Sequence, residues 1–132
     1  MGSIQRWHCT KCDLQFTHHE GTGLTRNIDR YLIKDHIRTS NDYPEIRVLI
    51  EQHGENCYVD TGRRLYQCPH CRRITEARDL SVWLKASSGA PAHRIYDFAP
   101  ACEVCGTKME PKPTLCPTCG APLASEEIGS WE

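Results

Sequence analysis

CEVCGTKMEPKPTLCPTCG, residues 102–120, contains two Cys-x-x-Cys pairs, each followed by a glycine. Two more such pairs lie upstream, so eight of the nine cysteines are paired in this way. Two thiolates separated by two residues can bind one tetrahedral ion, with zinc–sulfur distances of about 2.3 Å. The spacing therefore predicts two zinc ions and eight ligands, which are Cys9, Cys12, Cys68, Cys71, Cys102, Cys105, Cys116 and Cys119.

The order of the pairs along the chain favours joining neighbours. The residues between Cys105 and Cys116 can close one hairpin, and short loops lose little entropy on closure. We therefore expect the first and second pairs to share one ion and the third and fourth pairs to share the other. The alternative is an interleaved arrangement that joins the first pair to the third and the second to the fourth.

The rest of the chain predicts a small, metal-stabilised α+β fold, in which zinc-ribbon β-hairpins carry a helical insertion and precede a C-terminal zinc ribbon. The expected organisation is an N-terminal zinc-ribbon unit over 1–85 with helices at about 24–54, a linker over 86–95, a ribbon over 96–124 and a flexible acidic tail over 125–132.

Two amphipathic helices are predicted in the insertion. The first begins near Thr25 and has apolar residues at helical spacing, namely Leu24, Ile28, Tyr31 and Leu32. The second starts at Pro44, which suits a first helical turn, and stops at Gly54. Its apolar stripe consists of Ile46, Leu49 and Ile50.

The segments 57–60 and 65–68 flank a turn around Thr61-Gly62, which predicts a β-hairpin leading into the second cysteine pair. Residues 76–85 fit either a helix or a strand. Cys57 has no partner at metal-ligand spacing, and we expect it to be a half-buried strand residue; a reactive thiol is the alternative. Since each site already has four thiolates, the seven histidines are not expected to be primary ligands.

The composition indicates a cytoplasmic protein with reduced thiols. No apolar run approaches the roughly 20 residues that cross a bilayer, and the first residues lack the layout of a secretory signal. Regular two-residue spacing favours metal ligation over a secreted disulfide framework. No membrane partner is expected.

Charge is unevenly distributed. The formal net charge is -1, and two filled four-thiolate sites would lower it to about -5. Residues 61–100 hold seven Lys and Arg against three acids, whereas residues 101–132 hold two against five. The middle of the chain is therefore basic and its end acidic.

Several of these motifs together resemble small, uncharacterised bacterial zinc-ribbon proteins, a family without an assigned function. The shared elements, in chain order, are His8-Cys9-Thr10-Lys11-Cys12, Gly21-Thr22-Gly23, Leu65-Tyr66-Gln67-Cys68-Pro69-His70-Cys71, Asp79-Leu80-Ser81 and the ribbon that ends Cys116-Pro117-Thr118-Cys119-Gly120-Ala121-Pro122-Leu123. The resemblance implies zinc and no particular activity. Asp13 and Arg72 depart from the glycine that such turns commonly carry, which bears on local turn geometry.

The predicted function is a non-enzymatic module for an unknown protein partner or a regulatory role, because closed four-thiolate sites leave no open coordination position. Nucleic-acid binding is the first alternative, through Arg63, Arg64, Arg72, Arg73 and Arg78 with Tyr58, Tyr66 or Trp83 for stacking. Rubredoxin-like electron transfer on iron is the second, although Thr107 stands where that family usually has an aromatic residue. No phosphate loop, zinc-protease helix or nucleophile elbow is present.

Overall fold

A computed structural model describes residues 2–21 and 26–131. These residues divide into two compact units, and each unit draws on separate parts of the chain. Unit 1 comprises the described residues of 1–24, 62–78 and 99–132, and unit 2 those of 25–61 and 79–98. The described residues form mainly β-strands with two short α-helices, in agreement with an α+β class.

Unit 1 is an antiparallel sheet of six strands. They are β1 (Gly2–Cys9), β2 (Gln15–Gly21), β4 (Arg63–Gln67), β5 (Ile74–Arg78), β8 (Glu110–Pro111) and β9 (Leu123–Trp131). The strand order is β5-β4-β2-β1-β9, and β8 pairs with β4. Its cluster of buried apolar side chains is small and contains Tyr66, Cys68, Cys102 and Met109.

Unit 2 packs helices against a three-stranded sheet. The helices are α1 (Arg26–Thr39) and α2 (Pro44–His53), followed by a 3₁₀ turn over Gly54–Asn56, and the strands are β3 (Cys57–Val59), β6 (Val82–Leu84) and β7 (His93–Tyr96). The strand order is β3-β6-β7. Aliphatic side chains from both helices and the sheet form the core, which contains Ile37, Ile46, Ile50, Cys57, Val59, Leu80 and Val82.

The second predicted helix is confirmed, with Ile46 and Ile50 buried between Pro44 and Gly54. The first helix exists, but the apolar residues that predicted it are not the ones that contact the core. Ile28 and Leu32 are 61% and 57% exposed, whereas Ile37 is buried and Ile33 packs against the core. The predicted start near Thr25, like Thr22, Gly23 and Leu24, lies outside the described residues.

The predicted hairpin of segments 57–60 and 65–68 is wrong. β3 pairs with β6, and β4 pairs with β5, because the chain passes from unit 2 to unit 1 between Thr61 and Gly62. Residues 76–85, which fitted either element, form the end of β5 and all of β6.

The two units also divide the chain differently from the predicted boundaries. The expected linker over 86–95 contains the Ser87↔Ala90 bridge and the start of β7. The expected flexible tail over 125–132 contributes most of β9, which pairs along the length of β1 and brings Arg6 within 3.2 Å of Glu126. Glu126 and Glu127 are therefore exposed strand residues.

No helix in the described part of the chain is both long and apolar enough to cross a membrane.

Candidate metal centres

Eight cysteines converge in two groups of four, both within unit 1. We name the clusters by their position along the chain. The outer cluster contains Cys9, Cys12, Cys116 and Cys119, and the inner cluster contains Cys68, Cys71, Cys102 and Cys105, which lie between them in the sequence. In each cluster the four sulfur atoms lie within 4.8 Å of one another. The closest separations between pairs are 3.5 and 3.6 Å in the outer cluster and 3.4 and 3.5 Å in the inner one. These distances are far longer than the roughly 2.05 Å of a disulfide.

Sulfur atoms at this separation fit one metal ion. Four ligands at about 2.3 Å around a tetrahedral zinc are separated from one another by roughly 3.8 Å. Each cluster also presents only thiols, the donor type that zinc and iron accept. Both clusters can therefore hold a metal ion without rearrangement of the backbone.

The pairing is nested, and both predicted arrangements are wrong. The first cysteine pair joins the fourth, and the second joins the third. Consequently the expected C-terminal ribbon over 96–124 does not form a site of its own, since its two pairs belong to different clusters.

Strand pairing explains the nested order. Cys9 ends β1 and lies opposite Leu123, the first residue of β9, which follows the fourth pair. Gln67 ends β4 just before the second pair and lies opposite Glu110, in the strand that follows the third pair. Each sheet contact therefore brings two cysteine turns together. Since loop-closure entropy grows only slowly with length, it does not outweigh these ladders.

The four cysteine turns share one backbone design. The N–H of the first cysteine in each pair donates to the carbonyl five residues later, at 2.7–2.9 Å. At Cys9, this acceptor is the Leu14 carbonyl, and the N–H groups of Lys11 and Cys12 both lie 3.3 Å from the Cys9 sulfur. Backbone donors directed at sulfur stabilise the thiolate.

The two departures from glycine behave differently. Gly106 and Gly120 close their turns with φ of 75° and 78°, and Arg72 takes φ 64° at the corresponding position. The Arg72 turn keeps the same hydrogen bond, from its N–H to the Cys68 carbonyl at 2.9 Å. Asp13 is not among the described residues with positive φ. Arg72 therefore keeps the backbone geometry of the glycines at a cost in strain. The first turn closes without a residue of positive φ at Asp13.

Hydrogen bonds and burial separate the pKa values of the thiols. Burial opposes ionisation of Cys116, but the backbone N–H groups of Cys119 and Thr118 outweigh it and lower its pKa to about 6. Thr107 lowers the pKa of Cys105 to about 6 through its side chain and backbone. The N–H of Leu14 favours the Cys12 thiolate, yet hydrogen bonding to Cys9 together with burial raises the Cys12 pKa to about 12.

The same contrast holds in the inner cluster. The backbone N–H of Arg73 favours the Cys71 thiolate, but hydrogen bonding to Cys102 raises the Cys71 pKa to about 11. In each cluster, hydrogen bonds thus lower the pKa of two thiols, Cys9 and Cys116 or Cys102 and Cys105, and raise that of one, Cys12 or Cys71. Four thiolates this close repel one another, and a bound divalent cation is the natural compensation for that charge.

Gln67 connects the two clusters and was not singled out from the sequence. Its side chain is 5% exposed and makes four hydrogen bonds. The amide nitrogen donates to the carbonyls of Arg72 and Leu115 at 3.0 and 2.6 Å. The amide oxygen accepts from the N–H groups of Thr114 and Leu115 at 2.9 and 3.1 Å. One side chain therefore joins the turn after Cys68 to the segment before Cys116.

His18 and Cys57 belong to neither cluster. His18 is 5% exposed, and its Nε2 lies 2.9 Å from Oε2 of Glu76. Burial lowers the pKa of His18 despite that carboxylate. Cys57 is fully buried in the core of unit 2, rather than half-buried, and burial raises its pKa. Among the described residues no histidine belongs to a cluster of metal-ligating groups.

No family model matches this chain, and neither the curated proteins nor the solved structures contain a match. The resemblance to bacterial zinc-ribbon proteins therefore stays a prediction, whereas the two four-cysteine clusters follow from the fold itself.

Proposed function

We propose that the protein is a zinc-ribbon-type binding module in which two structural zinc ions hold unit 1 together. The observation that carries the proposal is the convergence of all four cysteine pairs into two clusters whose sulfur atoms lie within 4.8 Å of one another. Zinc is the metal we propose, because all-thiolate tetrahedral sites are the usual structural zinc sites. Cys9, Cys12, Cys116 and Cys119 would hold one ion, and Cys68, Cys71, Cys102 and Cys105 the other.

The proposed role is not catalytic. A zinc ion with four protein ligands has no position for water or substrate, whereas catalytic zinc sites keep one. The zinc would therefore supply binding energy for folding and no chemistry.

A protein partner is favoured by an exposed apolar patch on α1. Ile28, Tyr31 and Leu32 occupy adjacent positions on this helix and are 61%, 72% and 57% exposed. Apolar side chains grouped on a helix face, unlike scattered ones, mark surfaces for protein contact. The partner of the module would thus contact unit 2, while the zinc ions stabilise unit 1.

The nucleic-acid alternative receives less support, because its arginines have partners within the chain. Arg73 lies 3.7 Å from Glu103, and Arg64 lies 3.9 Å from Glu20. The Arg72 guanidinium approaches Gly120 so closely that a Cβ there would overlap it. A phosphate backbone would have to compete with these acids for the same guanidinium groups.

Metal content of two quadruple variants tests the sites and their pairing together. C9S/C12S/C116S/C119S removes one whole cluster, so we expect elemental mass spectrometry to find one zinc per chain, against two for the unaltered protein. C9S/C12S/C68S/C71S removes half of each cluster and serves as the comparison. In this variant we expect circular dichroism to show loss of the unit 1 sheet.

The outcomes differ sharply from those of sequential pairing, for which the first variant would hold no properly formed site and the second would keep one. Iron with visible absorption in the purified protein would replace the zinc assignment by electron transfer. Absence of any bound metal at all would overturn the proposal.

A further inference from the structure

Unit 2 contains a cleft whose walls are unusually basic. Its volume is about 240 Å³, and it is lined by Arg30 and Lys34 of α1, by Lys85 after β6, and by Tyr31, Glu55, Cys57 and Tyr58. Three cationic side chains from two segments thus face one cleft with a single carboxylate. The formal charge of the lining is +2 (three cations minus one acid).

These cations have no carboxylate partner in the part of the chain that the structure describes. No ion pair involves Arg30, Lys34 or Lys85 there, whereas Arg38, Arg47 and Arg94 of the same unit each lie beside an acid. Three cations beside a single carboxylate leave a net positive charge, and these like charges repel one another. An arrangement of this kind is therefore favoured by an anion in the cleft.

Lys34 is held in position by the backbone. Its Nζ donates to the carbonyls of Gly54 and Cys57 at 2.6 and 2.9 Å. An ammonium group has three N–H donors, so one remains for a ligand. The side chain is thereby fixed before an anion arrives, which lowers the entropic cost of binding.

Arg30 is oriented by an aromatic ring. Its guanidinium carbon lies 4.4 Å from the centre of the Tyr58 ring, and that ring stacks on Trp83 at 6.3 Å with planes 5° apart. A guanidinium stacked on a ring keeps its edge free, and this planar edge can donate two parallel hydrogen bonds to a phosphate. Tyr31, 72% exposed beside the same cleft, offers a ring face to the group that carries the phosphate.

We propose that this cleft binds the phosphate group of a phosphate ester, with Arg30, Lys34 and Lys85 as its contacts. A doubly charged phosphate matches the charge of the lining, and the exposed tyrosine favours an ester with an aromatic group, such as a nucleotide. The phosphate can come from a free nucleotide or from a single-stranded nucleic acid. The site adds a small-molecule ligand to the binding role proposed above and does not depend on zinc.

Nuclear magnetic resonance titration of the zinc-loaded full chain tests the site. The probes are inorganic phosphate, adenosine monophosphate and a single-stranded oligonucleotide, with sodium chloride at matched ionic strength as the reference. We expect saturable shifts of backbone amides at 30–34, 55–58 and 85 with adenosine monophosphate, at lower concentration than with inorganic phosphate. Tighter binding of the oligonucleotide, counted per phosphate, would identify nucleic acid as the source.

Lys85→Gln is the main variant, because Lys34 also supports two backbone carbonyls and its removal disturbs the fold. We expect Lys85→Gln, and independently Arg30→Gln, to weaken binding at least tenfold. Arg47→Gln, which removes an arginine paired with Glu51 outside the cleft lining, should leave the affinity within about twofold of the unaltered value.

Two results would overturn the proposal: shifts no larger than those with sodium chloride, or unchanged affinity in the Lys85 and Arg30 variants. Zinc content is measured on the same samples. If the protein holds two zinc ions but does not bind phosphate, the phosphate site is refuted and the proposed metal sites are not. Absence of zinc would count against the metal sites alone.

Discussion

Units 1 and 2 keep their residues together by different means. Unit 2 has a cluster of seven buried residues, nearly all aliphatic, drawn from helices and strands. The corresponding cluster in unit 1 has four buried residues, and two of these are the metal-cluster cysteines Cys68 and Cys102. Both four-cysteine clusters lie in unit 1.

The difference indicates that metal-binding cysteine clusters can take the place of a hydrophobic core. A long antiparallel sheet with few large apolar side chains gains little from hydrophobic burial, which supplies about 25 cal/mol per Å². A structural zinc ion can contribute about 10–16 kcal/mol of apparent binding energy, and this becomes folding energy where the unfolded chain has no site. Unit 1 can therefore have a thin core, provided that its clusters are filled.

Removing the metal should show the difference in stability between the two units most clearly. With a strong chelator, we expect unit 1 to unfold, because it loses the binding energy of two ions at about 10–16 kcal/mol each. Unit 2 should keep its helices. Hydrogen exchange followed by mass spectrometry measures this directly, with peptides covering 102–119 compared with peptides covering 44–53.

We expect exchange of the unit 1 peptides to accelerate by several orders of magnitude and to recover when zinc is restored. Equal acceleration in both sets of peptides would mean that unit 2 has no independent stability. Unchanged exchange in unit 1 would contradict the view that metal replaces its core.

Ile46→Ala tests the hydrophobic core of unit 2, the other half of the comparison. Ile46 is 1% exposed in the core of unit 2, and shortening a buried isoleucine to alanine costs about 2–5 kcal/mol. We expect that loss in the free energy of unfolding of unit 2, measured by hydrogen exchange, with zinc content unchanged at two.

Val48→Ala is the matched control on the same helix, since Val48 is 48% exposed and little packing is lost. If both variants lowered stability equally, the aliphatic cluster would not be what stabilises unit 2. Loss of zinc in the Ile46 variant would likewise contradict the separate roles of the two units.

Gln67→Ala has the smallest expected effect and tests polar support within unit 1. It removes a buried amide with four hydrogen bonds and leaves the N–H groups of Thr114 and Leu115 without that acceptor. Since unmade buried hydrogen bonds cost about 1–3 kcal/mol, we expect a loss of that size. Competition with a colorimetric zinc chelator measures it as weaker retention of zinc.

Gln15→Ala, at an exposed position of β2, provides the comparison and should retain zinc as the unaltered protein does. Equal retention in the Gln67 variant would show that the two clusters are stabilised independently of this side chain.

The cysteine clusters show how much of a metal site the spacing of cysteines in the sequence can predict. Two residues between thiols are a local property, so each pair and its strand-end position could be recognised from the sequence. Which pairs meet depends on the ladders that join β1 to β9 and β4 to β8, across more than forty residues of chain. Neither ladder leaves a local signal, and a preference for short loops therefore gave the wrong pairing.

Helix α1 shows a different limit. Ile28 and Leu32 are four residues apart, and so are Ile33 and Ile37, so that both pairs satisfy helical periodicity. Only the second pair meets the core. Periodicity identifies a helix with an apolar face, but it does not choose between two such faces when the helix has both. In α2 the stripe containing Ile46 and Ile50 has no competitor, and its prediction is confirmed.

The nested order of the clusters determines the order in which their ligands are synthesised. Cys71 and Cys102 are 31 positions apart, whereas Cys12 and Cys116 are separated by 104. The ribosome therefore adds all four ligands of the inner cluster before it adds Cys116 and Cys119, the partners of Cys9 and Cys12. Cys9 and Cys12 therefore wait, reduced and without a full ligand set, until Cys116 is translated 104 positions after Cys12. The unfinished outer cluster is consequently the stage at which a nascent chain is most exposed to oxidants and competing metals.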